Sequence, residues 1–347
     1  MVWGGEAMRH LKRGLMLTLR LALLALVAWA VWRRLGPALQ GVRVQDFGQW
    51  RPAVGPLVAS TIGLTLLHLF QAYLWRRVVI DVGAPPPDAR TTVRVYFVAG
   101  LARFIPGSLW QFAGLAVLGR ESGIPALASA AAGVIGNVVF LGAGVVFLAF
   151  TMPGLNGATA LFAGTGVAAG LGAAGWLFAA SGPGARARVW LARRAPERVR
   201  PALELVGRIR PAHALAWTLG YGASWVLLGA SFTVFVTAFV PGSLEHFRAL
   251  SGVMAFAYIG GYIVLFAPAG IGVREGIMGL ALVGLVPAPA IVLISLAQRV
   301  WFFAAELLAL GTFPLLPGRR HGDAGGPGRL DPQGRGGAEA WKPREIQ

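Results

Sequence analysis

Two proline and glycine interruptions within apolar sequence constrain this chain more than any other feature. Pro106 and Gly107 interrupt one apolar stretch, and Pro268 and Gly270 interrupt another nearly half the chain later. Proline removes a backbone donor and clashes with the preceding helical turn, so a membrane helix must break at each point. Broken backbone at membrane depth is tolerated only inside protein or beside a water-filled cavity. Matching interruptions in two halves of a chain therefore indicate a binding site of the transporter type.

The composition predicts an integral protein of the cell membrane. Of the 347 residues, 56% are hydrophobic and only 13% are charged, whereas soluble domains have about 25% charged residues. The formal net charge of +17 does not indicate a nucleic-acid partner, because the basic residues lie between the apolar stretches, where topology and anionic headgroups explain them. The chain has no cysteine, and its five histidines form no ligand cluster. We therefore predict neither a metal site nor a cofactor.

The apolar stretches predict an all-α polytopic fold. One transmembrane domain is expected over residues 1–316, followed by a disordered cytoplasmic tail over 317–347. Full crossings need about 20 apolar residues, and six stretches meet this length: 15–32, 54–75, 125–150, 158–180, 213–240 and 290–313.

The stretches around the two interruptions contain pieces too short for ordinary crossings. Residues 93–119 and 250–286 each predict a re-entrant hairpin of two broken helices. An alternative treats 250–266 and 277–286 as separate crossings, which gives about eight helices. With hairpins, the domain consists of two inverted repeats.

The repeats have approximate limits. Repeat one covers about residues 54–150 and repeat two about 213–313, with an arginine-rich linker over 181–212 between them. Asn137 lies in the middle of the span after the first interruption, as Gln298 does after the second.

The distribution of arginine orients the chain. The amino-terminal tail, the loop after Trp75, the linker 181–212 and the carboxyl-terminal tail are basic. The loops 151–157, 241–248 and 287–289 contain one arginine between them. Cytoplasmic loops carry the excess of basic residues, so both termini are expected in the cytoplasm.

Charged side chains within apolar sequence are the candidates for function. They are Arg103 and Arg274 beside the interruptions, Glu275, and Arg299 and Glu306 on one face of the last span. Each charge near the bilayer centre costs about 2.5–3.5 kcal/mol, so we expect all of them to face an interior. One interpretation is structural, with Arg299 paired to Glu306 or Arg274 paired to Glu275. The other is a polar cavity in which guanidinium groups hold a phosphate through bidentate hydrogen bonds.

Other residues near the interruptions are predicted to line this cavity or to form the hairpins. Trp110 could equally pack within the bundle or line the cavity. Asn137 could equally cap the backbone of a hairpin or line the cavity. No paired acids with metal spacing, nucleophile elbow or phosphate-cradling loop is present, so no catalytic residue and no enzyme activity are predicted. The predicted cavity or hairpin residues are Pro106, Gly107, Trp110, Gln111, Asn137, Pro268, Gly270 and Gly272.

The two interruptions resemble the signatures of a known family. The residues from Arg103 read RFIPGSLWQ and those from Pro268 read PAGIGVREG. They are similar to the motifs (K/R)-Y-(L/I)-P-G-x-x-W and P-G-G-(L/I)-G-(V/A)-R-E of the lysylphosphatidylglycerol synthase transmembrane-region family. Ala269 stands where that family usually has glycine. The resemblance covers about residues 10–315 and implies the flippase-like module in its stand-alone form.

The resemblance implies lipid translocation. The expected substrate is an anionic phospholipid or a polyprenyl-phosphate-linked lipid, held by Arg103, Arg274 and Arg299, with Glu275 and Glu306 positioning these arginines. An alternative is a non-transporting lipid-binding partner of a glycosyltransferase or another lipid-modifying enzyme. Residues 317–347 are too few for the family's aminoacyl-transferase domain, so aminoacyl-lipid synthesis is not expected.

The topology can be tested by cysteine labelling, because the natural chain has no cysteine to give background. Single cysteines at positions 155, 244 and 288 are expected to react with an impermeant maleimide in intact cells. Cysteines at 195 and 325 should react only after permeabilisation. Labelling at 195 in intact cells would contradict the inverted arrangement.

Overall fold

The chain folds into a bundle of α-helices. The computed structural model describes residues 51–104, 110–151, 209–263 and 272–316, together with Trp29, Arg33 and Leu205. These ranges contain eight α-helices and no β-strand. The helices are α1 (Val54–Asp81), α2 (Ala89–Leu101), α3 (Trp110–Glu121), α4 (Ala126–Thr151), α5 (Pro211–Thr237), α6 (Phe247–Ile263), α7 (Val273–Leu282) and α8 (Ala288–Gly311).

Four of these helices are long and apolar enough to cross a membrane, namely α1, α4, α5 and α8. At 1.5 Å per residue, the 26 residues of α4 extend about 39 Å, more than the roughly 30 Å of a hydrocarbon core. These four helices overlap four of the six predicted crossings, which is consistent with a membrane protein. The other two predicted crossings, 15–32 and 158–180, lie outside the described residues, as do the tail 317–347 and most of the linker 181–212.

Helix α1 is longer than the apolar pattern predicted. We expected the span to end at Trp75, but the helix continues through Arg76 and Arg77 to Asp81. The Arg76 Nε donates to the Pro87 carbonyl oxygen at 2.6 Å, so this arginine fastens the end of α1 to the following loop. Arginine is a good helix former, and its charge marks the end of the apolar segment rather than the end of the helix.

Two pairs of short helices stand where the sequence predicted breaks. Helices α2 and α3, the first broken pair, have 13 and 12 residues, and α6 and α7, the second broken pair, have 17 and 10. Pro106, Gly107, Pro268 and Gly270 lie between the helices of these pairs, outside the described residues. The order long, short, short, long therefore occurs twice among the described helices. Re-entrant hairpins and inverted repeats remain predictions.

A polar cluster joins the first half of the bundle to the second. Asp81, the last residue of α1, accepts a 2.9 Å hydrogen bond from His213 Nδ1 and another of 2.9 Å from Trp217 Nε1, both on α5. Between these helices, Gly220 lies against Leu74. Small residues let helix backbones approach closely in membrane proteins, so α1 and α5 pack directly along their length.

Glycines on α4 make room for large aromatic residues of α5. Gly136 lies against the Tyr221 hydroxyl and Gly144 against the indole of Trp225. The Trp225 ring also stacks on Phe140, at 4.6 Å between ring centroids, and its Nε1 donates to the Phe140 carbonyl oxygen at 2.7 Å. This fully buried tryptophan thus requires a glycine opposite it.

We expect Gly144→Ala to destabilise the protein, because the added methyl group would overlap the Trp225 indole. Overpacking of this kind costs about 1–3 kcal/mol. The matched control is Gly142→Ala, two residues away on the same helix, where a methyl group meets no other atom within 4 Å. Thermal melting of detergent-purified protein should show a lower midpoint for Gly144→Ala and an unchanged or higher one for Gly142→Ala. Equal midpoints would contradict the packing of α4 on α5.

Candidate functional site

A cavity of about 880 Å³ lies inside the bundle. All eight described helices contribute residues to its wall, and so does the short 3-10 turn Ala102–Phe104 that follows α2. Its volume lies in the range of about 300–1,000 Å³ that is usual for small-molecule sites. Both broken pairs border this cavity, and both contact α8.

Arg103 enters the cavity from the first broken pair and binds Glu306 of α8. The Arg103 Nη2 contacts the Glu306 Oε1 directly, as an ion pair between residues far apart in sequence. The Glu306 side chain is buried, and that of Arg103 is 34% exposed. A carboxylate in this position needs a positive partner, because an isolated buried charge is strongly disfavoured.

Glu275 of the second broken pair forms the other ion pair with α8. The Arg299 Nε donates to the Glu275 Oε1, and the Gln298 Nε2 lies 3.3 Å from the same oxygen. The other oxygen, Oε2, accepts the backbone N–H of Gly272 at 2.7 Å and so caps the start of α7. Gly272 has a φ of +84°, a conformation that side chains rarely adopt. Glu275 therefore caps the start of α7 with one carboxylate oxygen and binds Arg299 with the other.

The two ion pairs differ from the two pairings that the sequence suggested. Arg299 does not pair with Glu306, and Arg274 does not pair with Glu275. Seven residues on one helix face rise about 10.5 Å, too far for Arg299 to reach Glu306. Arg274 and Glu275 are adjacent on α7, and adjacent helical side chains do not face each other. Each charge on α8 instead pairs with a different broken pair.

Arg274 is buried in the cavity wall and has aromatic rather than acidic neighbours. Its guanidinium carbon lies 4.7 Å from the ring centroid of Tyr258 and 4.3 Å from that of Phe302. The side chain is 8% exposed, and it makes no ion pair with any carboxylate in the described ranges. Cation–π contacts contribute about 0.5–2 kcal/mol, less than a full counter-ion would. Among the five charged residues of the described cavity wall, Arg274 is therefore the one whose charge is compensated least.

Neutral hydrogen-bonding groups form another part of the wall. The Gln111 Nε2 donates to the Tyr262 hydroxyl at 2.9 Å, and Asn137 interacts with the same hydroxyl. Gln111 and Tyr262 are respectively just after and just before the two breaks, so this contact links the broken pairs directly. Gln111, Asn137 and Gly272 line the cavity, whereas Trp110 begins α3 and is not among its described lining residues.

The cavity has an apolar edge along α8. Leu296, Val300 and Phe303 line the cavity and are nevertheless 61%, 71% and 45% exposed. Their spacing of four and three residues places them on one face of the helix. A ligand in the cavity thus meets charged groups inside and apolar side chains where it emerges.

Three aromatic residues of the cavity wall were not predicted from the sequence. Tyr258 and Tyr262 are four residues apart on α6, and Phe302 follows the predicted Arg299 by three residues on α8. Such aromatic residues resemble ordinary helix core in sequence. Only their contacts identify them, with Arg274 for Tyr258 and Phe302 and with Gln111 for Tyr262. The described residues contain no group of three histidines, aspartates or glutamates that could hold a metal ion.

Comparison with known protein families, with curated proteins and with solved structures finds no match to this chain. The resemblance of the two interruptions to a lipid-flippase family therefore stays a prediction, and the site is interpreted from its own geometry.

We expect Arg103→Gln to destabilise the protein, because it leaves Glu306 buried without its cation. Breaking a buried pair costs about 3–5 kcal/mol, and about 2 kcal/mol is expected here because Arg103 is 34% exposed. The double variant Arg103→Gln, Glu306→Gln should recover more than half of the lost stability, as measured by thermal melting in detergent. If the destabilisation of the double variant equalled the sum of those of Arg103→Gln and Glu306→Gln, the two residues would not pair.

Proposed function

We propose that this chain binds an anionic lipid in the cavity and moves it between the two leaflets of the membrane. The observation that carries this proposal is Arg274, a buried guanidinium with no carboxylate partner in the described ranges. It lines the same cavity as the exposed apolar residues of α8. A lipid has a charged headgroup joined to apolar chains, and it would satisfy both features at once.

The chemistry of Arg274 favours a phosphate. Its planar guanidinium can donate two parallel hydrogen bonds to phosphate oxygens, which a lysine ammonium cannot do. The ring centroids of Tyr258 and Phe302 lie 4.7 and 4.3 Å from its guanidinium carbon, so aromatic contacts and not a carboxylate hold this group among the described residues. Arg274 is therefore proposed as the primary ligand of the headgroup phosphate.

Arg103 and Arg299 are proposed to bind the headgroup when its phosphate replaces their glutamate partners. Each is held by a glutamate carboxylate, Glu306 or Glu275. A phosphate oxygen offers the same kind of charge-assisted hydrogen bond as a carboxylate oxygen. A phosphate that approaches Arg274 can thus replace one carboxylate without leaving an arginine unpaired, and the released carboxylate becomes available to carry a proton.

The arrangement of helices supports movement of the two halves around the site. The order long, short, short, long occurs in both halves, and broken helices at a central site are typical of transporters with inverted repeats. We infer that the cavity opens alternately to each side as the halves move against each other. The sequence contains no nucleotide-binding motif, so transport is proposed to be passive or coupled to protons through Glu275 or Glu306.

Arg274→Lys tests the proposal, because lysine keeps the charge but loses the planar fork. In proteoliposomes with fluorescent phosphatidylglycerol, we expect the variant to fold normally and its rate of lipid translocation to fall at least about tenfold. Such a fall corresponds to about 1.4 kcal/mol, within what one charge-assisted hydrogen bond contributes. Arg274→Gln should be slower still.

The matched control is Arg94→Lys, at an exposed position on α2 outside the cavity lining. It should translocate lipid at the natural rate. Normal translocation by Arg274→Lys would contradict a phosphate clamp at this residue. If the natural chain binds lipid but moves none, translocation is wrong and the chain is a lipid-binding partner of another enzyme.

A further inference from the structure

The charge and chemistry of the cavity wall narrow the class of headgroup, on the premise of the lipid site proposed above. Among the described lining residues, the arginines are Arg103, Arg274 and Arg299, and the acids are Glu275 and Glu306. Two ion pairs cancel all of these charges except that of Arg274. We propose that the cavity selects a phosphodiester lipid with one negative charge and an uncharged, hydroxyl-rich head such as a polyol or sugar.

A single negative charge fits this wall best. A phosphodiester carries one negative charge, which matches the charge left on Arg274. A cationic headgroup, such as an aminoacyl ester, would add a positive charge to a wall whose described arginines already outnumber its acids. Like charges at a binding site cost several kcal/mol. A terminal phosphate monoester would bring a second negative charge, one more than the single positive charge that the described wall leaves uncompensated.

The neutral part of the wall fits a hydroxyl-rich head. Amide and phenol groups line it without adding charge, and both groups donate as well as accept hydrogen bonds. Hydroxyl groups of a polyol also do both, so they can pair with such a wall in several ways. Aromatic rings beside these groups offer apolar faces for the carbon skeleton of the head. The uncharged polar lining residues are Gln71, Tyr96, Gln111, Asn137, Tyr221, Tyr258 and Tyr262.

The apolar edge of α8 indicates that the anion belongs to a lipid. Leu296, Val300 and Phe303 would lie beside the acyl chains where these leave the cavity. Burial of apolar surface favours binding in proportion to its area. A water-soluble headgroup gains nothing from this edge, so it should bind more weakly than the complete lipid.

The test measures lipid binding to the purified full-length protein by native mass spectrometry, separately from translocation. Phosphatidylinositol, phosphatidylglycerol, phosphatidic acid, phosphatidylcholine and lysyl-phosphatidylglycerol are compared with identical acyl chains. We expect phosphatidylinositol and phosphatidylglycerol to bind at least about tenfold more tightly than the other three. Soluble glycerophosphoinositol should displace bound phosphatidylinositol only at much higher concentration.

Two variants separate charge from hydroxyl recognition. Arg274→Gln should abolish the preference for phosphatidylinositol over phosphatidylcholine. Asn137→Leu should keep that preference but reduce the preference for phosphatidylinositol over phosphatidic acid. Val138→Leu, the neighbouring exposed position outside the lining, is the matched control and should bind like the natural chain.

Tight binding of phosphatidylcholine or lysyl-phosphatidylglycerol would overturn the headgroup assignment. Equal displacement by glycerophosphoinositol would show that the site takes a soluble anion and would overturn the lipid assignment. Selective binding without translocation would leave the headgroup inference standing and refute the proposed transport. Translocation of every lipid with equal binding would support transport and refute the headgroup inference.

Discussion

The arrangement of the cavity depends on the cost of burying charge in a low-dielectric interior. Glu306 and Arg274 are both more than nine-tenths buried, and an isolated charge in such a place is disfavoured by several kcal/mol. Helix α8 carries a charged partner for each broken pair, because Glu306 pairs with Arg103 and Arg299 pairs with Glu275. The positions of the two broken pairs relative to α8 are therefore set by electrostatics as well as by apolar packing.

Because the two ion pairs share one rigid helix, the broken pairs are mechanically connected. Arg299 and Glu306 lie about two turns apart on α8, and a shift of this helix along its axis would strain both ion pairs together. The hydrogen bond from Gln111 to Tyr262 adds a contact between the broken pairs that does not pass through α8. A change at one broken pair is thus expected to reach the other through few intermediate contacts.

Much of this arrangement could be predicted from sequence, but the pairing of its charges could not. Helix breaks and long apolar segments depend on local sequence, which is why α4, α5 and α8 lie close to their predicted limits. The five charged residues all line the cavity because burial in lipid would cost each of them too much. Pairing depends on contacts between distant segments, such as the 203 positions between Arg103 and Glu306. Sequence spacing therefore favoured neighbours on the same helix, which point apart or lie too far away.

The charge of Arg274, which no carboxylate among the described residues pairs with, has a consequence for the response of the protein to membrane voltage. If the cavity reorients as proposed, an empty cavity carries its positive charge through part of the membrane potential. Moving a full charge through that potential costs or releases about 2.3 kcal/mol per 100 mV. A cavity that holds a monoanion is electrically neutral and moves no net charge. Membrane potential would then act on the return of the empty protein and not on the step that carries the lipid. A change in membrane potential would therefore alter the rate of turnover but not the choice of headgroup.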